Sequence, residues 1–261
     1  MNEWFKMAEQ MKKWMREAGE EQIRRLQTPM KMTSKSSDID LVTEVDIWTE
    51  QFLIERIQTT YPFHQLLTEE SGSYANQSDY EWVIDPIDGT VNYAHGFPLF
   101  SISVALKYEG EPVIGLVYIP MLNEMYETVK GHGAFLNEKQ IHVSTIEQLT
   151  QAVVSTGFPY DRATDPDNNV NYFNGVILKI GGIRRTGSAA IDLCQVAAGR
   201  FDGYWEFKLN PWDIEAGLLL VKEAGGKVKR IQQEKGTFVL VGNEPIFHQL
   251  NDVLNEVKPI E

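Results

Sequence analysis

The segment at residues 82–93 reads WVIDPIDGTVNY, an apolar run that ends in two carboxylates, Asp85 and Asp88. The apolar run predicts a buried strand, and Pro86 holds Asp85 in an extended conformation. Asp88-Gly89-Thr90 is typical of a turn that leads into a helix, so both carboxylates can point into one space beyond the strand. Like charges this close repel each other unless a cation lies between them. The chain must therefore bring a cation, or groups that attract one, to this strand end.

Other carboxylates also lie at the ends of predicted elements. Glu69 and Glu70 follow the apolar part of HQLLTEESG, Asp213 begins a predicted helix in NPWDIEAG, and Asp46 ends DLVTEVD. Each has an ordinary alternative, since Asp213 can cap a helix, Asp88 can serve a turn, and the two glutamates can lie in a solvated loop. Their joint occurrence beside Gly or Pro instead favours a shared cation site. A donor set made of oxygen alone suits Mg²⁺ better than zinc.

The histidine, cysteine and charge content narrows the alternatives. The five histidines lack the close spacing of zinc ligands, so we expect structural or surface roles for His64, His95, His132, His142 and His248. The single cysteine, Cys194, excludes an internal disulfide and lies on the predicted buried face of a helix. A formal net charge of -13 over 261 residues disfavours nonspecific binding to nucleic acid or to an anionic membrane. No apolar run reaches the roughly 18 to 20 residues of a membrane span, and no leader pattern is present, so we expect a cytoplasmic protein.

The order of hydrophobic patterns predicts the fold class. Residues 3 to about 27 predict an amphipathic helix, and a second helix should end before Pro62. Short β-branched and aromatic runs then predict an antiparallel meander, and the second half alternates strand and helix patterns. This order predicts an α+β or layered α/β sandwich. Because no linker separates the halves, we expect one domain over residues 1–261, with halves of about 1–150 and 151–261 that share a core.

Taken together, these motifs resemble the inositol monophosphatase family of magnesium-dependent, lithium-sensitive phosphatases. The resemblance rests on WVIDPIDGTVNY with EE upstream and WDIEAG downstream, and it covers most of the chain through SKSSDIDLVTEVD, GAFLN, RRTGSAAIDLCQVAAGRFDGYWE and VLVGN. It implies a layered αβαβα sandwich of the inositol monophosphatase and fructose-1,6-bisphosphatase type, and commonly a homodimer. It also implies a phosphomonoesterase that uses two or three Mg²⁺ ions.

The resemblance further implies roles for individual residues. As Mg²⁺ ligands it implies Glu69, Asp85 and the backbone carbonyl of Ile87 for a first ion, Asp85, Asp88 and Asp213 for a second, and Glu69 for a third and weaker ion. As catalytic residues it implies Thr90 and Asp46, which would orient and activate water, and Glu70 close to the third ion. The backbone N–H groups of Gly89 and Thr90 would take phosphate oxygens at a helix start.

The alcohol part of the substrate would meet a second set of residues. By the same resemblance these are Gly187, Ser188, Ala189 and Glu206. The alternatives are that Glu206 is a solvated strand residue and that Ser188 only caps a helix. Lys35 matches a family lysine near the metal site, although an exposed lysine would fit that position too.

The physiological substrate stays open within the family. We expect a small sugar or polyol phosphate, with inositol monophosphate first and fructose 1,6-bisphosphate, NADP or a 3'-phosphonucleotide as alternatives. The polar, turn-rich segment at residues 155–169 resembles a variable specificity segment. A different class of function is a regulatory protein that keeps the fold but works through a macromolecular partner. The complete set of predicted metal ligands favours the enzyme.

Overall fold

The computed structural model describes residues 3–26, 32–34, 41–258 and 260. In that part of the chain the helices are α1 (Glu3–Arg25), α2 (Glu44–Thr60), α3 (Thr90–Ala94), α4 (Val170–Ile177), α5 (Ala189–Ala197), α6 (Pro211–Glu223) and α7 (Glu244–Val257). The strands are β1 (Met32–Ser34), β2 (Leu41–Thr43), β3 (Gln65–Thr68), β4 (Gly72–Tyr74), β5 (Tyr80–Asp88), β6 (Ser101–Tyr108), β7 (Glu111–Ile119), β8 (Glu124–Val129), β9 (Ala134–Leu136), β10 (Lys139–Ile141), β11 (Val153–Thr156), β12 (Gly182–Arg184), β13 (Gly203–Leu209), β14 (Lys227–Gln233) and β15 (Gly236–Gly242).

The first large sheet has eight strands in the order β10-β9-β8-β7-β6-β5-β3-β4. Strands β5 to β10 pair with their sequence neighbours in antiparallel fashion, which confirms the predicted meander. Strand β3, by contrast, runs parallel to β5, and Thr68 lies opposite Ile84. Because the two strands run in the same direction, Glu69, the residue after β3, comes beside Asp85 near the end of β5.

The second large sheet has five strands in the order β12-β11-β13-β15-β14. Strand β11 runs parallel to both β12 and β13, whereas β15 is antiparallel to β13 and β14. The pairing of β13 with β15 shifts register between Glu206 and Leu209, and Lys208 there has a φ of 62°. This bulge turns the end of β13 away from regular pairing, at the strand that carries Glu206.

Helices and sheets alternate in five layers. Helices α1 and α2 cover one face of the first sheet, α5 and α6 lie between the sheets, and α4 and α7 cover the far face of the second sheet. Strand β5 shows the alternation directly, because Trp82 and Ile84 pack toward α1 and α2 while Val83 packs toward α5 and α6. The predicted layered αβαβα sandwich is confirmed.

The middle layer joins the two halves of the chain. Its apolar cluster draws Val83 and Val117 from the first sheet and Tyr204 and Val239 from the second. Gly115 of β7 permits a close approach to α6, since a Cβ there would lie 2.7 Å from the carbonyl oxygen of Ala216. The single domain over residues 1–261 stays a prediction, and this shared cluster supports it.

Helix α1 confirms the predicted amphipathic pattern and also supports β5. Its buried stripe includes Met7, Met11, Trp14, Met15 and Ala18. The buried amide of Gln22 donates from Nε2 to Thr49 Oγ1 at 3.1 Å and to the Pro86 carbonyl at 3.0 Å. The Gln22 side chain therefore links Pro86, in the Asp-Pro-Ile-Asp end of β5, to both α1 and α2. No helix among the described residues has the length and apolarity to cross a membrane.

Candidate active site

Asp85 and Asp88 lie on either side of a bulge at the end of β5. Asp85 is opposite Ser103 and Asp88 is opposite Ser101, so three steps along β5 match two along β6. Such an extra residue redirects the side chains that follow it. Asp85 is only 2% exposed, and its Oδ1 accepts a hydrogen bond of 3.0 Å from the backbone N–H of Ile87.

Asp88 connects the end of β5 to the start of α5. Its Oδ2 accepts hydrogen bonds of 2.6 Å from both Ser188 Oγ and the backbone N–H of Ala190. Burial raises the pKa of Asp88 to about 6, although these two donors oppose the shift. Ser188 also caps α5, since its Oγ accepts from the N–H of Ile191. Ser188 thus caps the helix, as the alternative prediction stated, and its hydroxyl also donates a hydrogen bond to Asp88.

Asp213 reaches the same place from the first turn of α6. Its Oδ2 accepts a hydrogen bond of 2.7 Å from the backbone N–H of Asn210 in a capping box. Burial raises the pKa of Asp213, and the negative charge of Asp88 adds to the rise. Burial likewise raises the pKa of Asp85, followed by the charges of Glu69, Asp88 and Asp213. The four carboxylates are therefore close enough to repel one another in a poorly solvated space.

These carboxylates line one pocket of about 330 Å³. Most of the predicted site residues line it, namely Glu69, Asp85, Ile87, Asp88, Gly89, Thr90, Gly187, Ser188, Ala189, Glu206 and Asp213. Asp46 lies behind Thr90, and Glu70 is outside the lining. Lys35 is outside the described residues.

The pocket fits a hard cation by the chemistry of its donors. Carboxylates and the Ile87 carbonyl offer oxygen alone, and their mutual repulsion would be relieved by positive charge. Among the described residues, no three His, Cys, Asp or Glu side chains already share one point as a ligand set. Asp88 and Asp213 are instead turned toward backbone and hydroxyl donors.

Thr90 and Asp46 form a hydrogen-bonded pair beside the carboxylates. Thr90 Oγ1 lies 2.9 Å from Asp46 Oδ1 and 3.0 Å from the Ile87 carbonyl, and its single proton can serve one of them at a time. Asp46 Oδ2 accepts from the N–H of Thr43 at 2.9 Å and also from Thr43 Oγ1. Burial raises the pKa of Asp46 to about 6, while Thr43 and Thr90 lower it. Asp46 therefore accepts hydrogen bonds from both threonines, and its pKa is shifted toward neutral pH.

The turn at Glu69 and Glu70 depends on a residue that the sequence analysis did not single out. Glu50 is fully buried on α2; its Oε2 accepts from the N–H of Glu70 at 2.8 Å, and its Oε1 accepts from Ser71 Oγ. Glu50 lies four residues after Asp46, so both carboxylates share one face of α2. That spacing is the signal that would have identified it.

The substrate side of the pocket is formed around Glu206. Tyr204 donates from its hydroxyl to Glu206 Oε2 at 2.7 Å, and burial raises the pKa of Glu206 to about 7. Gly157 lies directly against this carboxylate, because a Cβ there would come within 2.1 Å of both of its oxygens. The exposed Arg185 also lines the pocket and lowers the pKa of Glu206, whereas Arg184 donates to the Ile183 carbonyl and does not line it.

One wall of the pocket comes from the predicted specificity segment. Tyr160 and Asp161 line the pocket, and Lys208 Nζ donates to Asp161 at 2.8 Å and to Asp165 at 2.9 Å. Lys235 Nζ also donates to Asp165 at 2.7 Å. These ion pairs attach the segment to the bulge of β13, next to Glu206.

The sequence profile of the inositol monophosphatase family matches residues 3–255. The chain belongs to the inositol monophosphatase family. This membership confirms the resemblance found in the motifs, and it agrees with the arrangement of the carboxylates around one pocket.

Relatives in the family carry several names. The chain is 42% identical over 209 residues to the "Fructose-1,6-bisphosphatase/inositol-1-monophosphatase" of Aquifex aeolicus, which covers 80% of this chain and 79% of that protein. It is 40% identical over 221 residues to the "Putative Nus factor SuhB" of Neisseria meningitidis serogroup B, over 83% of this chain and 85% of the relative. The solved inositol monophosphatase of Anabaena superimposes with a TM-score of 0.83 at 38% identity, over 95% of this chain and 96% of that one.

Proposed function

We propose that the protein is a Mg²⁺-dependent phosphomonoesterase that hydrolyses a small polyol or sugar phosphate, with inositol monophosphate as the preferred substrate. The observation that carries the proposal is the meeting of four mutually repelling carboxylates with the Thr90–Asp46 pair at one pocket. The family membership and the names of the Aquifex and Anabaena relatives support it.

Five residues would hold the metal ions: Glu69, Asp85, the carbonyl of Ile87, Asp88 and Asp213. When bound, Mg²⁺ would polarise phosphoryl oxygens and lower the pKa of bound water. Glu70 is proposed to act near this set from outside the pocket lining, although its backbone is fixed by Glu50. The number of ions, two or three, is part of the proposal.

Thr90 and Asp46 would manage the proton of the attacking water. Thr90 Oγ1 can accept a proton from water while its own proton passes to Asp46 Oδ1, 2.9 Å away. A pKa of about 6 lets Asp46 be ionised at neutral pH and still accept a proton during the reaction. The N–H groups of Gly89 and Thr90 at the start of α3 lack acceptors within the helix, so they can bind phosphate oxygens.

Glu206 would select the alcohol part of the substrate, opposite Gly187, Ser188 and Ala189. Its carboxylate can accept hydrogen bonds from neutral hydroxyls and would repel a second phosphate. Arg185 at the rim partly offsets this repulsion, so fructose 1,6-bisphosphate remains an alternative substrate, as do NADP and 3'-phosphonucleotides. We further propose that the protein is cytoplasmic and works as a homodimer, which sedimentation would test.

A regulatory role is a second candidate. It is supported by the name of the Neisseria relative, a putative Nus factor. The formal net charge of -13 disfavours a nucleic-acid partner, and a role through a protein partner is compatible with that charge.

A phosphatase panel with a metal control tests the enzyme. Purified protein should release phosphate from inositol 1-phosphate in Mg²⁺ and lose this activity in excess EDTA. Asp88→Asn should lower kcat by about two orders of magnitude or more, since an anionic ligand is lost. Asp252→Asn, which changes an exposed carboxylate on α7, is the matched control. Wild-type rates for Asp88→Asn, or full activity in EDTA, would refute the metal mechanism.

A further inference from the structure

The buried face of α2 carries three polar side chains just outside the pocket lining. Asp46, Thr49 and Glu50 lie on one face of the helix by their spacing, and all three are fully buried. Asp46 accepts a hydrogen bond from the start of α3. Thr49 accepts from Gln22, which also donates to the Pro86 carbonyl near the end of β5. Glu50 is the member of this face that reaches the turn after β3, so the face contacts three of the segments that form the pocket.

Glu50 bonds to the two residues that follow Glu69 in this turn. Its Oε2 accepts from the N–H of Glu70 at 2.8 Å, and its Oε1 accepts from Ser71 Oγ. On the other side, the N–H of Glu69 itself donates to the Ile84 carbonyl of β5 at 3.2 Å. The backbone is therefore fixed both at Glu69 and directly after it. Because the Glu69 side chain lines the pocket, these bonds determine how that carboxylate is presented to an ion.

Stabilising the β3–β4 hairpin alone does not account for a buried carboxylate at this position. The two strands already pair through Thr68 and Gly72, and Thr68 Oγ1 donates to the Gly72 carbonyl at 3.2 Å. Gly72, with a φ of 77°, supplies the left-handed conformation of the turn. Burying a charged group costs more free energy than burying an uncharged one, even when both are hydrogen-bonded. A carboxylate has, however, an acceptor oxygen for each of two donors, so Glu50 can fix two consecutive residues at once.

We propose that Glu50 is a positioning residue that orients Glu69 and thereby increases the affinity of the pocket for Mg²⁺. Hydrogen bonds around a metal ligand fix its orientation before the ion binds, and their loss typically lowers metal affinity by about 10-fold to 100-fold. Two bonds from one buried carboxylate to adjacent residues restrict the turn more than either bond alone. The inference rests on the proposed function, and it adds a residue that is neither a ligand nor part of the pocket lining.

Calorimetric titration with Mg²⁺ tests the inference without turnover. Glu50→Ala removes both acceptors and should weaken Mg²⁺ binding by at least about tenfold. Glu50→Gln should recover part of the loss, because its amide oxygen can accept from the N–H of Glu70 while its amide nitrogen donates to Ser71 Oγ. Ser71→Ala removes one of the two bonds and should weaken Mg²⁺ binding less than Glu50→Ala does. This milder variant replaces Glu50→Ala in the test if the latter does not fold.

A buried carboxylate elsewhere in the protein provides the matched control. Asp202 is 6% exposed, accepts from the N–H of Val153 at 2.6 Å and does not line the pocket. Asp202→Asn should lower the melting temperature in EDTA but leave the affinity for Mg²⁺ unchanged. Wild-type affinity for Mg²⁺ in Glu50→Ala, or in Ser71→Ala where Glu50→Ala does not fold, would show that Glu50 only stabilises the hairpin and would overturn the inference.

The Mg²⁺ dependence of hydrolysis separates this inference from the proposed function. With inositol 1-phosphate as substrate, Glu50→Ala should need at least about tenfold more Mg²⁺ for its half-maximal rate, whereas kcat in saturating Mg²⁺ should fall much less. Hydrolysis with an unchanged Mg²⁺ requirement would overturn the inference and leave the phosphatase standing. Mg²⁺ binding that weakens in Glu50→Ala, without hydrolysis by the wild type, would support the positioning role and refute the proposed function. No Mg²⁺ binding by the wild type would overturn both.

Discussion

Replacing Thr90 by valine isolates the hydroxyl that we assign to proton transfer. Valine keeps the branched shape of a residue that is only 7% exposed, so packing changes little. It removes the donor shared by Asp46 Oδ1 and the Ile87 carbonyl at 2.9 and 3.0 Å. Asp46 retains both donors from Thr43, so its carboxylate stays in place.

The expected loss falls mainly on kcat. A positioned acid–base group contributes about 100-fold to 10,000-fold, which corresponds to about 3 to 5 kcal/mol of barrier. Substrate binding precedes this proton transfer, so KM should change by less than about threefold. Loss of one hydrogen bond to a buried carboxylate should also cost about 1 to 3 kcal/mol of unfolding free energy.

Steady-state hydrolysis of inositol 1-phosphate in Mg²⁺ measures the effect, with thermal unfolding followed in parallel. Thr90→Ser is the matched control, since it keeps Oγ and should retain most of kcat. A Thr90→Val enzyme with kcat within about twofold of wild type would show that no proton-transfer partner was lost and would reduce Thr90 to a structural residue.

Three further predictions concern the charges around the pocket. Burial raises the pKa of Asp88 to about 6, whereas an exposed aspartate has a pKa of about 3.9. Between these two pH values the folded protein binds a proton at Asp88 that the unfolded chain has released, so lowering the pH stabilises the folded state. In EDTA the melting temperature should therefore rise as pH falls from 7 to 5, and Mg²⁺ at pH 7 should raise it too; a fall over this range in EDTA would contradict the reasoning. Arg185→Gln should raise KM for fructose 1,6-bisphosphate more than for inositol 1-phosphate, while Arg184→Gln, outside the pocket lining, should leave that ratio unchanged. Gly157→Ala should raise KM for inositol 1-phosphate because its Cβ would displace the Glu206 carboxylate, and an unchanged KM would place the substrate elsewhere.

The pattern of elements was predictable because hydrophobic period and turn residues act locally. The α1 stripe and the strands of the meander follow directly from the spacing of apolar residues. The parallel pairing of β3 with β5 was not predicted, because it depends on which strands meet after the chain has passed through a turn. That pairing places Glu69 beside Asp85, which the motif suggested and spacing alone could not show.

The same distinction between local and long-range information applies to the site residues. Asp88 and Asp213 were identified because a carboxylate beside Gly or Pro at the end of a predicted element can be recognised from the sequence alone. Glu50 was missed although its spacing from Asp46 could be seen in the sequence, because an acidic residue on a helix is usually solvated and Glu50 is fully buried.

The contacts of Asp88 explain how the chain can fold around this concentration of negative charge. The carboxylate accepts from Ser188 Oγ and from the N–H of Ala190, and the start of α5 carries the partial positive charge of a helix N-terminus. These donors belong to the second half of the chain, whereas Asp88 belongs to the first. These hydrogen bonds across the middle layer therefore oppose the repulsion among the carboxylates. They offset only part of the repulsion, as the raised pKa of Asp88 indicates. The remaining negative charge would attract a cation to the end of β5. The carboxylates that repel one another in the metal-free protein are therefore the same residues that would bind the metal.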